Sequence, residues 1–133
     1  MTTKITLIRI RKNPSETNIN EELQWLGNSL GLFNLRDRDS SCFRVFITLV
    51  KTTKQDAPLS SDEIAQRLHL TRGTAVHHLT KLMESGIVVR VQGGYLLREA
   101  RLSNIINDLK RDTETAFIEL QHVAKEIDEK LGE

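Results

Sequence analysis

Four histidines, one cysteine and 18 acidic residues are the groups in this 133-residue chain from which a metal or catalytic site would be built. His77 and His78 are adjacent, so on a helix they diverge, and neither has a histidine four residues on. His122 has Glu119 and Glu126 at i−3 and i+4, a His/Glu set that becomes a metal site only if two copies share it. The expectation there is a solvated histidine on an acidic helix. Cys42 lies in the apolar run SSCFRVFITLV, where a thiol packs as a small core residue, and a lone cysteine allows no intrachain disulfide. His69 falls in a turn. No phosphate-binding glycine loop, nucleophile elbow or HExxH helix occurs, and no pair of acids has a context for acid/base catalysis. The chain is expected to be no enzyme and to use no cofactor or metal.

The chemistry that the spacing does support is recognition. In TRGTAVHHLTKLMESG, residues 71–86, Ala75, Leu79, Leu82 and Gly86 fall at steps of four, three and four and share one face. The remaining face carries Arg72, Gly73, Val76, His77, Thr80 and Lys81, a small, polar and cationic set with Thr74 beside it. Small residues let a helix approach a groove. Arg72 and Lys81 can neutralise phosphates or pair with guanine, and Val76 can touch a thymine methyl. Thr71, Arg90 and Gln92 are placed to serve the backbone of double-stranded DNA.

These residues need a scaffold, and the flanking sequence supplies one. Ser60 stands three residues ahead of Glu63, the reciprocal capping-box spacing, and Ile64, Ala65 and Leu68 follow, so a short helix is expected over residues 61–68. His69 and Leu70 make a turn, Thr71 caps the next helix, and Gly86 ends it. Residues 87–91 are β-branched, residues 95–97 apolar, and Gln92-Gly93-Gly94 between them allows the positive φ of a tight hairpin. Upstream, Cys42, Phe43, Val45, Phe46, Leu49 and Val50 recur at helical spacing from Asp39 or Ser40 to about residue 53, apolar over a wide arc, as a central scaffold helix requires. Leu59 is expected as a one-residue strand beside the hairpin.

On SSDEIAQRLHLTRGTAVHHLTKLMESGIVVRVQGGYLL the chain resembles the winged helix-turn-helix transcription regulators of the ArsR/MarR type, prokaryotic or archaeal. The resemblance implies a mainly α fold with a small β-hairpin wing, and a second motif helix that enters the major groove of a symmetric operator as part of a homodimer. His77 and Val76 stand where such proteins often carry Arg or Ser, and the wing tip lacks a basic cluster. The paired cysteines of the metal-sensing members are missing, so metal sensing is not implied.

The rest of the chain divides around that domain. An N-terminal extension, residues 1–38, holds the β-rich basic run KITLIRIRK, stopped by Asn13-Pro14-Ser15, and then a helix over about residues 21–30 capped by Asn18 or Asn20, with Leu23, Leu26 and Leu30 as its buried stripe and Trp25 beside it. Leu32, Phe33 and Leu35 anchor the connector that follows. Residues 39–98 form the winged domain. Residues 99–133 contain no proline and a single glycine, Gly132, and predict one helix of about thirty residues. Its apolar positions are Leu102, Ile106, Leu109, Thr113, Phe117, Leu120, Ala124, Ile127 and Leu131, a coiled-coil-like dimerisation seam with a stutter at Thr113.

Residues 1–98 hold 14 Lys and Arg against 9 Asp and Glu, and residues 99–133 hold 5 against 9, so a basic body is joined to an acidic helix. Nothing approaches a membrane span or a signal-peptide core, and the expected setting is cytoplasmic. The function expected is a dimeric, sequence-specific regulator bound to double-stranded DNA. The alternative is a winged-helix adaptor that docks a protein of the transcription machinery, and an unknown effector held near Trp25 is a narrower variant.

Overall fold

A computed structural model describes residues 3–8, 18–33 and 40–132. Residues 9–12 of the expected basic arm, its Asn13-Pro14-Ser15 stop, Leu35 and Asp39 lie outside the described residues. The chain divides into two units, residues 1–100 and 101–133.

In the first unit, α1 (Ile19–Ser29) begins two residues before the expected start, because Asn18 Oδ1 accepts the Glu21 amide at 2.9 Å, so that Asn18 rather than Asn20 is the cap. Its stripe is only partly enclosed: Leu30 is buried, Leu23 and Leu26 half-buried. Trp25 is half-buried, with its indole Nε1 enclosed and unpartnered among the described residues. The extended residues 3–8 close two helix ends. The Lys4 and Ile8 amides donate to Glu84 O and Ser29 O, both at 2.7 Å, supplying donors to carbonyls that a helix C-terminus leaves over.

α2 (Ser41–Lys54) is the scaffold helix, and its wide apolar arc explains why α1, α3, α4 and β2 pack on it. Val45, Phe46 and Leu49 are fully enclosed. Cys42 is buried too, its Sγ donating to Leu32 O at 3.3 Å. Ser40 occupies the capping position, but its side chain makes no capping bond. α3 (Ser61–Leu68) and α4 (Arg72–Glu84) pack on α2 and on each other, contributing Ile64 from one and Ala75, Leu79 and Leu82 from the other.

β1 (Val88–Val91) and β2 (Gly94–Leu97) form an antiparallel hairpin in the register Val88↔Leu97 to Val91↔Gly94. The turn is therefore the two residues Gln92-Gly93, and Gly94 belongs to the strand. Leu59 adds an isolated bridge to Tyr95, as its position in the sequence led one to expect. That bridge explains Gly94: a Cβ there, at φ 145°, would fall 2.2 Å from Leu59 O. Inside, Leu97 N donates to the buried Thr53 hydroxyl at 3.0 Å, tying the hairpin to α2. The whole is a winged helix-turn-helix, mainly α with one small hairpin.

The second unit is one helix, α5 (Leu102–Lys130), whose 29 residues span about 43 Å. It starts three residues later than the sequence suggests. Arg98 N still donates to Ile87 O at 2.8 Å, one residue past β2, and the chain then bends through residues 98–101 before the helix begins. From Phe117 onward every described residue of this unit is exposed. Among the described residues no helix is long and apolar enough to cross a membrane.

Candidate nucleic-acid interface

The geometry of α4 is set by local chemistry at both ends. At the start of α3, which precedes it, the Ser60 hydroxyl accepts the Glu63 amide at 3.1 Å while Glu63 Oε1 accepts the Ser60 amide at 3.2 Å, so the predicted capping box is present. His69 takes a left-handed conformation, φ 56°, and ends α3; Leu70 N then returns to Ala65 O at 2.8 Å. Thr71 Oγ1 accepts the Thr74 amide at 3.1 Å, and its hydroxyl donates to Thr74 Oγ1 at 2.8 Å. At the far end Gly86, φ 78°, donates to Met83 O and Ile87 N to Leu82 O, the paired bonds of a Schellman stop. Each cap is worth about 1 kcal/mol.

With Ala75, Leu79 and Leu82 completely enclosed, the rest of α4 faces out. Gly73, His77 and Thr80 are exposed along the line opposite that stripe, Val76 is 39% exposed on one flank, and Lys81 and Thr74 are half-buried. A Cβ added to Gly73 would meet nothing within 4 Å, so the fold does not require glycine there. Arg72 sits at the start of the helix on the side of α3, its Nε 3.3 Å from Asp62 Oδ1. Thr71 is exposed at the turn.

The wing stands apart from this face in character. Arg90 pairs across the hairpin with Tyr95, and its guanidinium lies 5.7 Å from the ring centroid, a cation–π contact that limits its reach. Gln92 is exposed at the tip. Val89 and Val91 are each 37% exposed, leaving an apolar edge on β1.

Three residues that matter here were not among those expected from the sequence. His78 Nε2 lies 2.6 Å from Ser41 Oγ, pinning α4 to the first turn of α2. Arg44 Nη2 donates to Leu68 O at 2.5 Å and satisfies a terminal carbonyl of α3. A lone basic residue inside the apolar arc of α2 was the available hint. Glu84 is the third: the steps 73, 77, 80, 84 put it on the outward line of α4, exposed at the C-terminal end. Its carboxylate disfavours phosphate at the C-terminal end of α4.

On α5, Phe117 (58%), Leu120 (63%) and Ile127 (51%) are open, Ile106 is exposed, Leu102 half-buried and Leu109 buried. His122 Nε2 lies 3.1 Å from Glu126 Oε1 in an exposed pair. Among the described residues no three His, Cys, Asp or Glu side chains come together as a metal site.

A family model described as a helix-turn-helix domain matches residues 39–91, the stretch that contains α2, α3, α4 and β1. Neither the curated proteins nor the solved structures yield a match to the chain. The chain thus carries a helix-turn-helix domain with a wing, a module whose common use is binding DNA.

Proposed function

We propose that the protein is a homodimeric transcription regulator that binds double-stranded DNA sequence-specifically through α4. The observation that carries this reading is the make-up of the α4 surface. A helix fixed by caps at both ends turns a centre of Gly73, His77 and Thr80 outward, with Arg72 and Lys81 as its flanking cations. Arg72, Thr74, Val76, His77, Thr80 and Lys81 meet or border the major groove, Gly73 allows close approach, and Thr71, Arg90 and Gln92 serve the phosphate backbone. The second copy joins along α5, where Phe117, Leu120 and Ile127 supply the open part of the seam and Leu102 and Ile106 continue it, Leu109 being already buried in the single chain. Two recognition helices then read half-sites about 34 Å apart, and linkage multiplies their affinities.

The test is selection: purified protein is mixed with random duplexes near physiological salt, and what it retains is sequenced. A palindromic motif is the expected product. Retention of nothing above background would instead favour an adaptor that docks a protein, a second reading supported by the exposed Val76, Val89 and Val91 on the same side chains' surfaces that DNA would otherwise cover.

A further inference from the structure

The contact between Arg72 and Asp62 has no evident structural purpose. Arg72 is the first residue of α4, where the helix dipole disfavours a cation, and no acidic residue lies in that helix's first turn. Asp62 sits in the first turn of α3, but the capping box there is completed by Ser60 and Glu63 without it. Both side chains are largely exposed, 74% and 70%, so the pair adds little to folding. The turn between the helices is already held by His69, Leu70 and Thr71.

What the pair does is constrain an arginine. The carboxylate lies nearest Nε, 3.3 Å away, which leaves the Nη1/Nη2 edge of the guanidinium to read a base. Guanine O6 and N7 are met by a fork of two parallel N–H donors, and an arginine gripped elsewhere loses less rotamer freedom when that fork engages. The same carboxylate lowers the attraction of this corner for any phosphate, whatever the sequence.

We infer that Asp62 is a positioning residue for base recognition: it holds Arg72 by Nε so that the guanidinium fork meets a guanine edge rather than a phosphate. The inference rests on the DNA-binding reading above. It assigns Asp62 a share of specificity although Asp62 touches no base.

The experiment compares the full-length wild type with Asp62→Asn, Asp62→Glu and Arg72→Ala, by sequencing duplexes selected from a random pool and by titrating a non-specific duplex at several salt concentrations. Asp62→Asn is expected to bind the non-specific duplex about threefold more tightly or better, with a salt slope steeper by about 0.9, because Arg72 is freed to meet a phosphate. It is also expected to lose about tenfold of the preference for guanine at one position in each half-site, the same position that Arg72→Ala loses. Asp62→Glu keeps the charge and keeps the preference. A uniform change in affinity with the base preference intact would overturn the proposal. In the free protein the Arg72 Nε–H resonance is expected to move in Asp62→Asn; an unmoved resonance removes the contact itself, whatever the DNA result. A wild type that selects no motif removes the DNA reading and this role together, while the resonance still reports whether the pair forms.

Discussion

α4 and α5 are built on the same rule and end in opposite states. Each places apolar residues at steps of three and four, Ala75, Leu79 and Leu82 in one, Phe117, Leu120, Ala124, Ile127 and Leu131 in the other. In α4 that stripe is completely enclosed, whereas in α5 Phe117, Leu120 and Ile127 each stay more than half exposed. The periodicity is blind to this difference because it records which side of a helix is apolar, not what lies within reach of it. α4 is 13 residues long and faces α2 and α3. The later turns of α5 leave apolar area in water at a cost of about 25 cal/mol per Å², which a second helix would remove.

Breaking the enclosed stripe has the largest expected effect. Leu79→Ala leaves a cavity with no side chain free to fill it, and a loss of about 2–5 kcal/mol is expected in urea unfolding. Breaking the open stripe should act differently. Leu120→Glu leaves the first unit's stability near wild type, but on the dimer proposed above it halves the mass in sedimentation and lowers DNA affinity by about a hundredfold as linkage is lost. A protein that stays at wild-type mass and affinity would show that the α5 stripe is not the seam. Next in size is Arg72→Ala, which is expected to cost about 1–3 kcal/mol of binding if Arg72 reads guanine, and to change the salt slope if it meets phosphate. No change in either removes it from the interface.

The contrast also marks what was legible in the sequence. The capping box at Ser60 and Glu63, the Thr71 cap, the Gly86 stop and the Leu59 bridge are local signals, each a residue type at a fixed offset, and the structure contains all four. Boundaries moved by a few residues, as at α5, which starts only after the bend at residues 98–101. Within the site, the outward set on α4 could be read from spacing. The ties of His78 to Ser41, Arg44 to Leu68 and Arg72 to Asp62 could not, since each joins groups whose approach exists only after α2, α3 and α4 have packed.

The smallest predicted effect separates recognition from folding most cleanly. Gly73 lies on the outward line of α4, and a methyl group there would touch nothing. Glycine in a helix costs about 0.5–1 kcal/mol relative to alanine, so the fold alone would favour Gly73→Ala. If α4 enters a groove, the same methyl group stands between the helix backbone and the base edges. Gly73→Ala is therefore expected to raise the urea midpoint slightly while weakening binding to the selected duplex, a change of opposite sign in two measurements on one variant. Should both rise together, the helix does not approach DNA closely at this point, and Gly73 is a cost that the recognition surface does not explain.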